Sequence, residues 1–119
     1  MSCMLFGIQK CDTVKKARAY LLENGIEHSF HDFKKDGVPA AELQQWALTP
    51  GWQSLLNRQG TTWRKLDPLR QAQVTDAASA CALMLDQPSV IRRPVVVWSD
   101  GRVTVGFEAL RLLVESFRL

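Results

Sequence analysis

The stretch FGIQKCDTVKKA, Phe6 to Ala17, sets one cysteine between an apolar run and a lysine-rich amphipathic run. A cysteine attacks as the thiolate, and a free thiol titrates near about 8.5, so its surroundings decide whether it reacts at neutral pH. At a helix start, unpaired backbone N–H groups and the positive end of the helix dipole both favour the thiolate. Lys10, Lys15 and Lys16 add positive charge nearby. Cys11 is therefore the candidate nucleophile. The blander alternative, a small buried residue, suits Cys11 poorly because Lys10 and Asp12 flank it at a turn. It suits Cys3, in an apolar strand, and Cys81, on an Ala/Leu helix face; both are expected to be inert packed thiols. Dithiol oxidoreductases carry a resolving cysteine three residues on, and here that position is Val14. Reaction through Cys11 then needs an outside thiol, or a distant cysteine brought close.

A second stretch with chemical content is PSVIRRPVVV. Proline at the entrance to a buried strand, after basic residues, suits a turn that can hold a cis bond. Arg92 and Arg93 would bring charge to such a turn. Taken alone, Arg92 reads as a solvated residue before a strand, Arg93 suits that reading and a ligand site equally, and Arg58 in LLNRQG reads as a surface residue. His28 and His31 are three apart on an expected strand, so they point to opposite faces. No third ligand accompanies them, and no metal site is expected.

The elements that must position these residues follow from pattern. Cys3 to Ile8 is apolar on both faces and reads as a central strand. Cys11 or Asp12 opens a helix whose Val14, Ala17 and Leu21 share a face, and Asn24-Gly25 ends it. EHSFHDF reads as a second strand, making a right-handed βαβ unit with a parallel pair. Pro39 suits the first position of a helix running through Leu43 and Trp46. Gly51 to Gln73 reads as short helices, one capped by Asp67 ahead of Pro68. Thr75 or Asp76 caps a further helix, expected to carry Ala77, Cys81 and Leu85 on its packed face. RPVVVWSDGRVTVGF reads as a hairpin with a type I′ Asp-Gly turn. EALRLLVESF closes the chain as an amphipathic helix. The expected organisation is a single domain over residues 1–119, with a helical insertion at about 39–87 packed beside a small mixed sheet of four strands.

At 119 residues, 46% hydrophobic and 23% charged, the chain can bury a core. No apolar run is long enough to span a membrane. The first residues, MSCMLFGIQKCD, show neither a basic n-region nor a small-residue cleavage site, so they read as a strand and the cytoplasm is the expected location. Three cysteines without Cys-x-x-Cys spacing argue against a disulfide scaffold and a structural zinc site. A net charge of +3 suits a small anionic ligand, and no basic run with interleaved aromatics suggests nucleic acid.

Taken in order, LFGIQKCDTVKKARAYLLENGI, FHDFKKDGVP, LLNRQGTTWRKLD, LMLDQPSVIRRPVVV and VGFEALRLLV resemble segments of the arsenate reductase (ArsC)/Spx/YffB family, over nearly the whole chain. The YffB branch fits best. The resemblance implies an α/β, thioredoxin-like fold and glutathione-dependent thiol reduction, with Cys11 as nucleophile. It implies Arg58 and Arg93 as two of the three arginines that hold an oxyanion in arsenate reductases, and Pro94 as the cis-proline. The third arginine has no match; its place falls at or beside Gly106, with Arg102 and Arg111 out of register. With Lys10, the matched arginines and Pro94 would bind glutathione or substrate. Glutathione is then a co-substrate, no cofactor is tightly bound, and the partners are a small oxidised or oxyanion substrate and glutaredoxin. The other branches imply two alternatives: a non-enzymatic, Spx-like protein that binds RNA polymerase, and a true arsenate reductase.

Overall fold

A computed structural model describes residues 1–118. The chain divides into two compact units, Met1–Gly37 with Arg93–Leu119, and Val38–Arg92.

The first unit holds the sheet. Its elements are β1 (Ser2–Gly7), α1 (Asp12–Glu23), β2 (Glu27–Asp32), and, returning later in the chain, β3 (Val95–Trp98), β4 (Val103–Val105) and α7 (Phe107–Ser116). The strand order is β2-β1-β3-β4. β1 runs parallel to β2, with Cys3 opposite His28 and Gly7 opposite Asp32, and antiparallel to β3, with Leu5 opposite Val96. This is the mixed sheet of a thioredoxin-like fold. Cys3 and Leu5 of β1, Val14, Ala17 and Leu21 of α1, Val96 and Trp98 of β3, and Leu110 and Val114 of α7 form one core. The helical spacing of the α1 and α7 residues is what lets each helix bury a single stripe on that face. Phe6 alternates to the opposite face, where its ring meets His31 (5.1 Å) and Phe33 (6.2 Å). Met4, on that same side, is 41% exposed, so β1 is apolar on both faces but covered on both only towards its C-terminal end.

Two local expectations differ from what the chain does here. The hairpin turn is not type I′, which needs a positive φ at both central residues. Trp98 N–H donates to Arg102 O and Gly101 N–H to Trp98 O, both at 2.9 Å, so the loop has three residues, Ser99 to Gly101. Only Gly101 takes a positive φ (92°), while the Asp100 carboxylate accepts from the Arg102 amide at 3.0 Å. The extra residue lets Asp100 avoid a positive φ. The first strand also ends at Gly7 rather than Ile8, because Ile8 already accepts the turn bond from Cys11 N–H.

The second unit is helical: α2 (Ala40–Trp46), α3 (Trp52–Leu55), α4 (Thr61–Arg64), α5 (Pro68–Ala72) and α6 (Ala77–Asp86). Pro39 precedes α2 as its N-cap, one position earlier than expected. Thr49, with an extended backbone (φ −146°, ψ 111°), breaks the helical path before Pro50. Asp67 caps α5 by accepting from Leu69 N–H at 2.8 Å. Asp76 and Ser79 form a reciprocal capping box on α6. The buried face of α6 is Ala80, Cys81, Leu83 and Met84, not the expected Ala77, Cys81 and Leu85; Leu85 is 46% exposed. This helix is apolar nearly all round, so spacing alone did not single out the packed stripe.

Candidate active site

The turn between β1 and α1 is closed by the hydrogen bond from Cys11 N–H to Ile8 O at 3.1 Å. Cys11 is then the N-cap of α1 in an extended conformation (φ −82°, ψ 125°). This places it at the start of the helix, where four amides lack an intrahelical acceptor. Burial raises the Cys11 thiol, but the Val14 amide, the Arg93 guanidinium and the Thr13 amide together outweigh it and hold the thiol below its ordinary value. Arg93 acts both by hydrogen bonding to the sulfur and by its charge. Cys11 is half-buried, accessible from solvent, and unpaired with another cysteine.

Val14, the residue in the resolving position, packs inward and is 1% exposed. It sits against Gly7: a Cβ built on Gly7 would lie 2.6 Å from Val14 Cγ2. Gly7 is thus required for the close approach of β1 to the first turn of α1, a need that a lone glycine in a strand signals in sequence.

The Arg93–Pro94 peptide bond is cis, as is Thr49–Pro50. Pro94 is buried at the start of β3, and its carbonyl accepts from Gly106 N–H at 2.9 Å. The structure therefore brings Cys11, Arg93 and the Pro94 turn together in the first unit. Lys10 is exposed and lines a cavity of about 450 Å³ with Ile8, Gln9, Asp32, Lys34 and Lys35. Lys16 does not reach towards the thiol; its ammonium lies 4.3 Å from the Phe107 ring centroid. Arg58 belongs to the second unit, where it is exposed, with its guanidinium 5.7 Å from the Trp63 ring centroid. Arg92, also in that unit, donates from its backbone to Leu55 O (2.6 Å) and from Nε to Ser54 O (3.2 Å).

Two other arginines near the closing helix are engaged. Arg102 pairs with Asp100 at 2.7 Å. Arg111 pairs with Glu108 and with Glu115. Burial pushes the Cys3 thiol up to about 11 and raises Cys81 as well, which is the behaviour of packed, unreactive thiols. Among the described residues no group of three or more His, Cys, Asp or Glu could hold a metal ion, and no helix is long and apolar enough to cross a membrane.

A thioredoxin-like sheet, a single cysteine capping α1 and an arginine-proline turn beside it define the class of thioredoxin-like thiol proteins. Comparison with known proteins narrows the class. The sequence matches the ArsC family over residues 6–113, and the chain belongs to that family. It is 38% identical over 103 residues to an uncharacterized protein of Haemophilus influenzae, covering 87% of this chain and 89% of that one. A solved structure of a YffB protein is 43% identical and superposes with a TM-score of 0.83, covering 98% and 96% of the two chains. The solution structure of an arsenate reductase (ArsC) related protein from Brucella melitensis is 46% identical, with a TM-score of 0.75 over 100% and 97%.

Proposed function

We propose that this protein is a glutathione-dependent thiol reductase with Cys11 as its nucleophile. The observation that carries the reading is the Cys11 thiol at the N-terminus of α1, held below its ordinary value by the Val14 and Thr13 amides and by Arg93. The Cys11 thiolate attacks the glutathione sulfur of an oxidised substrate, a mixed disulfide. The S–S bond breaks, the substrate leaves as its own thiolate, and Cys11 carries the glutathione. A second glutathione thiolate attacks that sulfur, releasing glutathione disulfide and returning the Cys11 thiolate. No resolving cysteine is needed, which accords with Val14 in that place. Arg93 stabilises the thiolate as reactant and as leaving group. The backbone at Arg93–Pro94 offers hydrogen bonds to an extended peptide, and Lys10 offers a cation to a glutathione carboxylate.

Arsenate reduction is less well supported. An oxyanion needs several fixed donors. Gly106 supplies none, while Arg102 and Arg111 are committed to carboxylates.

The test is an amide-shift titration with reduced glutathione, paired with mass spectrometry after exposure to glutathione disulfide. Shifts at residues 10–14 and 92–95, and one glutathione added at Cys11, are expected. Binding should be weak, on the order of millimolar, because a small flexible ligand loses freedom on ordering. No shift at these residues and no adduct would overturn the reading and favour a non-enzymatic binding protein.

A further inference from the structure

The amide of the second residue in a β-turn has no partner within the turn, and a backbone donor away from water must find one elsewhere. In the turn Ile8–Cys11 that residue is Gln9. Its N–H donates to Asp32 Oδ2 at 3.2 Å. Asp32 lies at the end of β2, opposite Gly7, and is only 7% exposed, the single buried charged residue among those described. Its other oxygen accepts from Lys34 N–H at 2.8 Å and from Lys35 N–H at 3.3 Å. The same residue is fastened through its backbone: its N–H donates to Asp36 Oδ2 at 3.1 Å, and its carbonyl accepts from Asp36 N–H at 2.8 Å. Phe33 N–H closes the set on Gly7 O at 2.8 Å.

We infer that Asp32 is the positioning residue for Cys11, its carboxylate fixing the β1–α1 turn through Gln9 so that Cys11 keeps its N-cap place at the start of α1. The inference rests on Cys11 being the nucleophile. An ionised carboxylate is suited to this task because it accepts several amides at once. Asparagine would keep one acceptor oxygen and place an amide NH2 donor where the second acceptor must be, losing either Gln9 or the Lys34–Lys35 pair. The charged groups that face Asp32 are Lys10, Lys34 and Lys35, which line the same cavity, and Asp36. Cys11 itself is faced by Arg93.

Charge and position make opposite predictions for Asp32→Asn. Removing a negative charge near a thiolate stabilises that thiolate and speeds alkylation at mildly acidic pH. Releasing the turn removes the Val14 and Thr13 amides from the sulfur and slows alkylation. We expect slowing, by about threefold or more, with faster amide hydrogen exchange at Gln9. Equal or faster alkylation at Cys11, or unchanged exchange at Gln9, overturns the inference. A second measurement uses the unaltered chain, where folding is not in question. On acid titration the Gln9 amide proton must shift with the same midpoint as the Asp32 carboxyl carbon; a different midpoint also overturns it. If Cys11 of the unaltered chain titrates like a free thiol, the proposed nucleophile fails, whereas the Gln9 measurements still decide whether Asp32 holds the turn.

Discussion

Replacing Gly7 with alanine places a Cβ 2.6 Å from Val14 Cγ2 and 3.4 Å from Cγ1. Carbons in contact sit about 3.5–4.0 Å apart, so roughly 1 Å must be found. The strand cannot easily supply it, since β1 is paired on both sides, with β2 through Gly7 and with β3 through Phe6. Val14 is β-branched and buried, and a valine in a helix has one strongly preferred rotamer. The first turn of α1 must therefore move. Overpacking of this kind costs about 1–3 kcal/mol. A cost of about 2 kcal/mol lowers Tm by roughly 6–12 °C in a domain of this size. Gly7 is not among the glycines with positive φ, so backbone strain does not confuse the result. Because the Val14 amide helps hold the Cys11 thiol below its ordinary value, the same shift returns the thiol towards that value and slows alkylation at neutral pH. Val14→Ala removes the two methyl groups that are struck and alone costs about 2 kcal/mol. If the clash is the cause, Gly7→Ala with Val14→Ala costs less than the sum by about 1–2 kcal/mol. Urea unfolding of the four proteins, with Cys11 alkylation followed by mass spectrometry, measures both effects. Costs that add within about 0.5 kcal/mol, or Gly7→Ala at full stability, would refute the reasoning.

Three further outcomes follow from the same geometry. Iodoacetamide on the native protein at neutral pH should modify Cys11 first, with Cys3 and Cys81 reacting only after unfolding, because burial raises both of the latter thiols; peptide mapping over time checks the order. Gly106→Arg should destabilise the protein by about 1–2 kcal/mol without conferring arsenate reduction, since Gly106 holds a φ of 88° that L side chains disfavour; thermal melting and an arsenate turnover assay check both halves. Burial raises the Asp32 carboxyl, but the Lys34, Lys35 and Gln9 amides and the Lys35 charge outweigh it and hold it below its ordinary value. Its contribution to stability is present above the unfolded value near about 3.9 and is lost as pH falls through the lower folded value. Asp32→Asn should therefore flatten the acid limb of a stability–pH profile, and a limb of unchanged slope would contradict the bonding described.

What was legible in the sequence was local. Val14, Ala17 and Leu21 announced the buried face of α1, and Asn24-Gly25 its end, because helix periodicity and capping are set within a few residues. The Cys11 turn was legible for the same reason. The packed face of α6 was not, since an all-round apolar helix lets tertiary contacts choose the stripe. Nor was the hairpin turn type, which depends on whether Trp98 pairs with Arg102 or a nearer residue, a matter of register between strands. Arg92 and Arg93 are adjacent and chemically identical. Only the folded chain shows Arg92 bonded to Ser54 O, and Arg93 as one of the groups that hold the Cys11 thiol below its ordinary value.

Asp32 shows why the support of a candidate site is harder to read than its proposed nucleophile. Cys11 carries its own chemistry, and its neighbours in sequence already include the amides that act on it. Asp32 lies in HDF, at the end of a strand, 21 positions after Cys11 and without a motif of its own. Its value arises only when parallel pairing sets it opposite Gly7, which places its carboxylate beneath an amide two residues before the cysteine. A buried carboxylate is costly unless every oxygen is satisfied. Here three amides from two separate loops supply that satisfaction, so the cost is offset only in the folded arrangement that also aims the thiol. On the inference drawn above, stability and reactivity are tied to the same few bonds. A substitution at Asp32 should disturb both together, whereas one at Arg93 should act on the thiol with far less effect on the turn.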